Sequence, residues 1–259
     1  MPPHDAGPCP QPLRLAIFLH RHVIGIPASV PSRSAAPGLP ALPSQLALPL
    51  VAVALVALPV FIQAPLVRLN PVPAALLTLP LVGLALLLER SGDARWKDLG
   101  ALLVGFSGSW LAGCLFWGWF RLHPLCHLPL EAALLPLALG GFGGRWRLAA
   151  SFYLASLAGT ALTDAGIAAA GLMPLWPRVL AAPIPEAPLL LQEAAIQVFQ
   201  PVHLALLLGL ALLLLLACRE LWQRGPCGRL AAATLAATLG VDGLFLAASL
   251  LAPRLSGLI

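Results

Sequence analysis

The sequence predicts an all-α fold, a polytopic bundle of about seven transmembrane helices with the N-terminus on the cytoplasmic side. Three observations carry that expectation. Of 259 residues, 59% are hydrophobic and only 10% charged, with a mean hydropathy of +0.91, whereas a soluble domain carries roughly a quarter charged residues. Apolar runs long enough to cross ~30 Å of hydrocarbon follow one another along most of the chain. The basic residues alternate in number from one connection to the next, as they do when every second connection faces the cytoplasm.

Residues 1–44 stand apart. Pro2, Pro3, Pro8, Pro10, Pro12, Pro27, Pro31, Pro37, Pro40 and Pro43 rule out a regular helix over most of this stretch. Its one apolar patch, after Arg14, is broken by His20, Arg21 and His22, and no small-residue cleavage site marks a signal peptide. A Pro-rich, disordered or surface-lying tail is expected here, ahead of a transmembrane domain over 45–259.

The apolar runs fall at about 45–67, 72–88, 99–120, 128–144, 148–172, 202–218 and 230–251. Between the fifth and sixth lies the longest connection, at about 173–201, placed on the outer side. Its Pro-rich first half is expected to be non-helical. Its second half, with Gln192, Glu193, Gln197 and Gln200 among apolar residues, is expected to lie on the membrane surface; alternatively the sixth span begins near Pro188 and kinks at Pro201. Lys and Arg in the eight successive non-membrane segments number three, one, three, one, two, one, three and one. That is 11 against 4 in favour of a cytoplasmic N-terminus.

The net charge of +5 and pI near 9.4 do not point to nucleic acid, because the basic residues are single and form no stripe. The expected surroundings are the lipid bilayer, with a membrane-protein complex as a possible partner. Cys9, Cys114, Cys126, Cys218 and Cys227 form no CxxC pair, so neither a zinc site nor a disulfide framework is expected.

Two acids lie well inside apolar runs, and each closes a four-residue polar series: Ser156, Thr160, Asp164 and Thr234, Thr238, Asp242. In the predicted topology both sit about eight or nine residues short of the outer end, roughly 12 Å deep by helical rise. An ionised Asp at mid-bilayer costs about 2.5–3.5 kcal/mol, so both side chains should face inward and find partners. If the two meet, they can hold a proton between them. His123, His127 and Glu131 also follow at four-residue steps, but Pro124 and Pro129 should interrupt the helix that would align them, leaving loop residues at the interface. Arg68 and Arg121 fall at the same outer face, within reach of Glu131, as do Asn70 and His203. The candidate polar cluster is therefore Asp164, Asp242, Glu131, His127, Arg68, Arg121, Thr160 and Thr238. No metal-ligand spacing appears, and no cofactor is implied.

Enzyme signatures are sparse. Gly105-Phe-Ser107-Gly108 matches the GxSG of rhomboid-type intramembrane proteases, with His203 as a conceivable base, but the upstream HxxxN of those enzymes is lacking. There is no HExxH, P-loop or dinucleotide turn, so no residue is assigned as catalytic. Small residues recur at four-residue spacing in the third run (Ala101, Gly105, Ser109, Gly113) and the fifth (Ser151, Ala155, Gly159, Thr163). Such faces let helix backbones approach closely, within one chain or across a dimer.

Several segments read together resemble a cyanobacterial membrane family of unknown function, domain-of-unknown-function family 3120. They are Phe61-Ile-Gln-Ala-Pro-Leu-Val-Arg68, Leu103-Val-Gly-Phe-Ser-Gly-Ser-Trp-Leu-Ala-Gly113, Trp117-Gly-Trp119 with Arg121, His127-Leu-Pro-Leu-Glu131, and Phe152-Tyr-Leu-Ala-Ser-Leu-Ala-Gly-Thr-Ala-Leu-Thr-Asp164. The resemblance covers about residues 45–250 and implies a cyanobacterial source and a plasma or thylakoid membrane. It brings no reaction. The leading reading is a non-enzymatic assembly or scaffold component; the alternatives are a small proton-coupled transporter using Asp164 and Asp242, and an enzyme acting on lipid or quinone at the outer face. Reporter fusions at the two termini should report opposite sides of the membrane; both termini on one side would overturn the seven-span count.

Overall fold

Seven helices are long and apolar enough to cross a membrane. They are α1 (Ala47–Leu69), α2 (Pro71–Glu89), α3 (Ala94–Phe120), α4 (Pro124–Gly141) and α5 (Arg147–Ala169), then α8 (Pro201–Trp222) and α9 (Gly225–Leu251). Two shorter helices, α6 (Leu175–Ala181) and α7 (Ala187–Val198), lie between α5 and α8. The computed structural model describes residues 44–183 and 185–253, and the expected Pro-rich tail lies outside them. Among the described residues there is no strand. Lipid offers no partner to a free N–H or C=O, so each span must satisfy its backbone internally.

The spans lie within a few residues of the expected runs, and the differences have local causes. Asp93 opens α3 earlier than expected by accepting the Arg95 N–H on Oδ1 at 2.8 Å, as a good N-cap does. Gly171, at φ +68°, closes α5: Leu172 N–H returns to Ile167 O and Gly171 N–H to Ala168 O, the double reversal that satisfies the last carbonyls of a helix. The connection after it needs correction. Its Pro-rich first half does form a helix, α6, because Pro177 sits in the first turn, where a missing N–H costs nothing. The second half is α7, and α8 starts anew at Pro201. Gln192 donates to Leu250 O (3.3 Å) and Gln197 to Ala170 O (3.0 Å). These amides tie α7 to the ends of α9 and α5.

The bundle is organised around α3. Its most apolar window is 67% buried, against 11% for α2, 6% for α4 and 11% for α8, so those three are the lipid-facing rim. Phe106, Trp110 and Phe152 join α3 and α5 in the main core, with Leu102, Val67 and Leu230 packed beside them. Glycine permits the closest approaches. A Cβ on Gly105 would stand 2.5 Å from Ala149 O, and one on Gly159 would stand 2.7 Å from Thr238 Oγ1. The small-residue faces of α3 and α5 are thus used inside the chain, α5 against α3 on one side and α9 on the other. Gly105→Val should therefore destabilise the protein by about 1–3 kcal/mol, read as a lower unfolding midpoint in detergent. Gly209→Ala, with nothing within 4 Å of the added methyl, should leave the midpoint unchanged.

Candidate functional site

The site begins with how α4 handles its prolines. Instead of one helix it runs as a 3-10 turn (Pro124–Cys126), an α segment (His127–Glu131), a second 3-10 turn (Ala132–Leu134) and a closing α segment (Leu135–Gly141). Pro129 and Pro136 each fall in the first turn of an α segment, where proline is tolerated. The helix restarts and does not break between the two residues that matter. His127 and Glu131 therefore stay one turn apart on a single segment, contrary to the expectation that Pro129 would separate them. Glu131 is only 8% exposed, so it is a residue of the span interior and not of a loop. His123 is exposed, outside this alignment. Tyr153 of α5 locks the segment in place: its hydroxyl donates to Glu131 O and accepts the Leu134 N–H at 3.1 Å.

Asp164 on α5 meets His127 across the helix interface, with Nδ1 to Oδ1 at 3.1 Å and side-chain exposures of 24% and 16%. Asp164 also lies close enough to Glu131 and to Asp242 for their charges to interact. Each intramembrane aspartate has its own hydrogen-bond partner. Asp242 Oδ2 accepts from Thr163 Oγ1 at 2.7 Å. Glu131 Oε2 is buried without a hydrogen-bond partner. One histidine and three carboxyl groups, brought together by α4, α5 and α9, form the cluster.

An aromatic wall stands beside it. Phe116 stacks on His127 with ring centroids 4.3 Å apart and planes at 28°. Trp176 of α6 lies 6.5 Å from Phe116 and 5.9 Å from Trp117, and its indole N–H donates to Arg121 O at 2.8 Å. Phe116, His127, Asp164, Met173 and Trp176, with Pro124, line a small vestibule with room for roughly one water molecule. Trp176 is thus held by ring contacts to Phe116 and Trp117 and by its hydrogen bond to Arg121 O.

The remaining expected residues divide. Arg121 contributes its backbone carbonyl to Trp176, and Arg68 is exposed at the end of α1. Thr238 is a packing residue: it returns its hydroxyl to Thr234 O (3.2 Å) and fills the space at Gly159. Thr160 is half-buried on α5. The hydroxyl series that pointed to Asp242 is therefore self-satisfied, since Thr234 likewise bonds Leu230 O, while Ser156 in the other series accepts from Ser109 across the α3–α5 interface. Ser107, the serine of the protease-like tetrapeptide, is 2% exposed and donates to Leu103 O at 2.7 Å, while His203 Nδ1 faces Gln197 O. Thr163, Phe116, Met173 and Trp176 were not anticipated as site residues. Gln63 was missed as well, although between Leu46 and Val67 it is the only polar side chain. A π turn over Pro59–Gln63 accompanies its burial against α3, where its amide reaches Trp110 O and Cys114 Sγ. Among the described residues, no three His, Cys, Asp or Glu side chains have metal-binding geometry.

A family model described as Protein of unknown function (DUF3120) matches residues 52–250. The chain belongs to that family. In this DUF3120 protein the matched region contains every side chain of the cluster and vestibule and excludes the Pro-rich tail. Comparison with curated proteins and with solved structures gives no match. Tyr153→Phe should leave the Leu134 N–H unpaired at a cost of about 1–3 kcal/mol. The expected readout is faster hydrogen exchange confined to residues near 131–134; unchanged protection there would show that Tyr153 does not hold the segment.

Proposed function

We propose that this DUF3120 protein is a small proton-coupled membrane carrier whose proton site is the His127–Asp164 pair together with Glu131 and Asp242. The observation that carries this reading is the 3.1 Å contact between His127 and Asp164 inside a group of three carboxyl side chains. Ionisable residues at membrane depth are expensive and mark ion or proton paths. Groups this close titrate as a unit, so a proton belongs to the set and not to one residue. Phe116 stacks on the His127 ring and fixes the side of it that faces Asp164. Thr163 holds Asp242 in place, and Glu131 keeps an unpaired oxygen free to take a proton or a cargo group. The vestibule at Pro124, Met173 and Trp176 supplies access from the end of the bundle where α3 meets α4, opposite the end where Arg145, after α4, pairs with Glu89 of α2 at 3.8 Å. With the N-terminus cytoplasmic, as the charge bias favours, the vestibule end faces outward, in the plasma or thylakoid membrane of a cyanobacterium.

The assembly or scaffold reading stands second, because the small-residue faces a partner helix would use on α3 and α5 already hold Ala149 and Thr238. An enzyme of lipid or quinone stands third, since Ser107 is committed to its own helix. Proton flux into liposomes containing the purified protein, followed with an internal pH-sensitive dye under an imposed potential, tests the carrier. Asp164→Asn and Asp242→Asn should each lower the flux at least about tenfold, the scale of a lost charge-assisted site. Wild-type flux in both variants would refute the proton site, and a stoichiometric partner copurifying from native membranes would then favour assembly.

A further inference from the structure

We propose, independently of the carrier reading, that the end of the bundle holding Glu89 and Arg145 binds anionic phospholipid headgroups. Two matching triplets would hold them, Arg95-Trp96-Lys97 and Arg145-Trp146-Arg147. The triplets occupy equivalent places, one in the first turn of α3 and the other at the entry to α5. The fold sets both against the end of α2. Arg145 Nη1 lies 3.8 Å from Glu89 Oε1, and a Cβ on Gly100 of α3 would stand 2.4 Å from Glu89 N. The α8–α9 turn, with Trp222 and Arg224, falls at the same end by the alternation of the spans.

The charge distribution favours an anionic partner. Among the described residues this end carries eight Lys or Arg against four Asp or Glu, and the opposite end three against two. Of the four acids, Asp93 is turned to its own helix as the α3 cap, and Glu89 already faces Arg145. Positive charge on both sides of α2 is drawn to the negative surface of an anionic leaflet. The individual groups narrow the partner further. Arg95, Lys97 and Arg147 are exposed. Arg145 is 70% exposed and meets Glu89 only at 3.8 Å, beyond hydrogen-bond reach. Its guanidinium sits over the Trp146 ring at 4.6 Å, which steadies a group suited to two-point contact with a phosphate. Trp96 is 51% exposed between its two cations, and an indole at a span end settles at headgroup level. A soluble anion would meet the cations and leave Trp96 in water. A phospholipid offers a phosphate and an apolar boundary together.

The test is thermal unfolding of the full-length protein in a neutral detergent, with phosphatidylglycerol or phosphatidylcholine added to the micelles. A ligand that binds the folded state raises the midpoint by mass action, and a rise of about 2–4 °C with phosphatidylglycerol over phosphatidylcholine is expected. Sodium chloride at about 1 M should remove most of it, because exposed charges are then screened beyond about 3 Å. Arg145→Gln with Arg147→Gln should roughly halve the rise, and adding Arg95→Gln and Lys97→Gln should abolish it. All four side chains are exposed, so these variants should fold, as their midpoints in phosphatidylcholine will show; if the fourfold variant does not, the twofold one decides. Arg121→Gln with Arg178→Gln, at the opposite end, should leave the rise intact. No rise, an equal rise with phosphatidylcholine or with inorganic phosphate, or a full rise in the twofold and fourfold variants would overturn the assignment. Loss of the rise in the Arg121 and Arg178 pair would overturn its location.

Discussion

The close approach of α5 to α3 and α9, made at Gly105 and Gly159, is the contact on which the remaining geometry depends. Within lipid there is no hydrophobic force to gather helices, so association rests on packing and on polar contacts between them. Glycine lets the α3 backbone reach Ala149 and lets Thr238 of α9 settle against α5. With α5 pinned on both sides, its C-terminal half is placed between α4 and α9. Asp164 and Thr163, adjacent in sequence, then project toward different helices, one to His127 and the other to Asp242. A shift of α5 by one ångström would disturb both contacts together.

Proline shapes the protein in a second way. In α4 it divides the helix into short segments without ending it, because each proline opens a segment and falls where no N–H is needed. The result is an irregular, thinly covered helix that still carries His127 and Glu131 on one turn and depends on Tyr153 to hold its carbonyl and amide groups. In α1, Pro59 opens the π turn that ends at Gln63. Such turns are frequent at functional positions, and here the turn delivers the one polar side chain in the middle of the span to the α3 backbone. Both devices place polar groups inside a bundle whose outer surface remains apolar.

Much of the fold was legible from residue order. Span number and approximate limits follow from runs of apolar residues measured against the bilayer thickness, a constraint that acts on each segment alone. The two intramembrane acids were legible for the same reason, since a charge in an apolar run is conspicuous wherever it points. Partners were harder. The four-residue hydroxyl series suggested a polar stripe on each helix leading to its acid, with Thr160 and Thr238 in the cluster, yet Thr234 and Thr238 bond their own helix, an option open to any threonine in a helix. His127 and Glu131 were counted in the polar cluster, but as interfacial loop residues, because proline was taken as a breaker and not as a starting residue. Trp176 was not legible as a site residue, because its neighbours in sequence say nothing of the ring stack it joins.

Sequence alone determined that this chain is a seven-span helical bundle of its family, with acids at Asp164 and Asp242 and a polar end. Hydropathy and length are properties of single segments, and they do not wait on the rest of the chain. Only the tertiary structure decided that Asp164 faces His127, that Thr163 faces Asp242, that Glu131 is buried with a bare oxygen, and that Phe116 and Trp176 wall a vestibule beside them. Those are relations between residues 37 and 79 positions apart. They depend on the rotation and spacing of neighbouring helices, which glycine contacts and proline-divided turns set at a distance from the residues concerned.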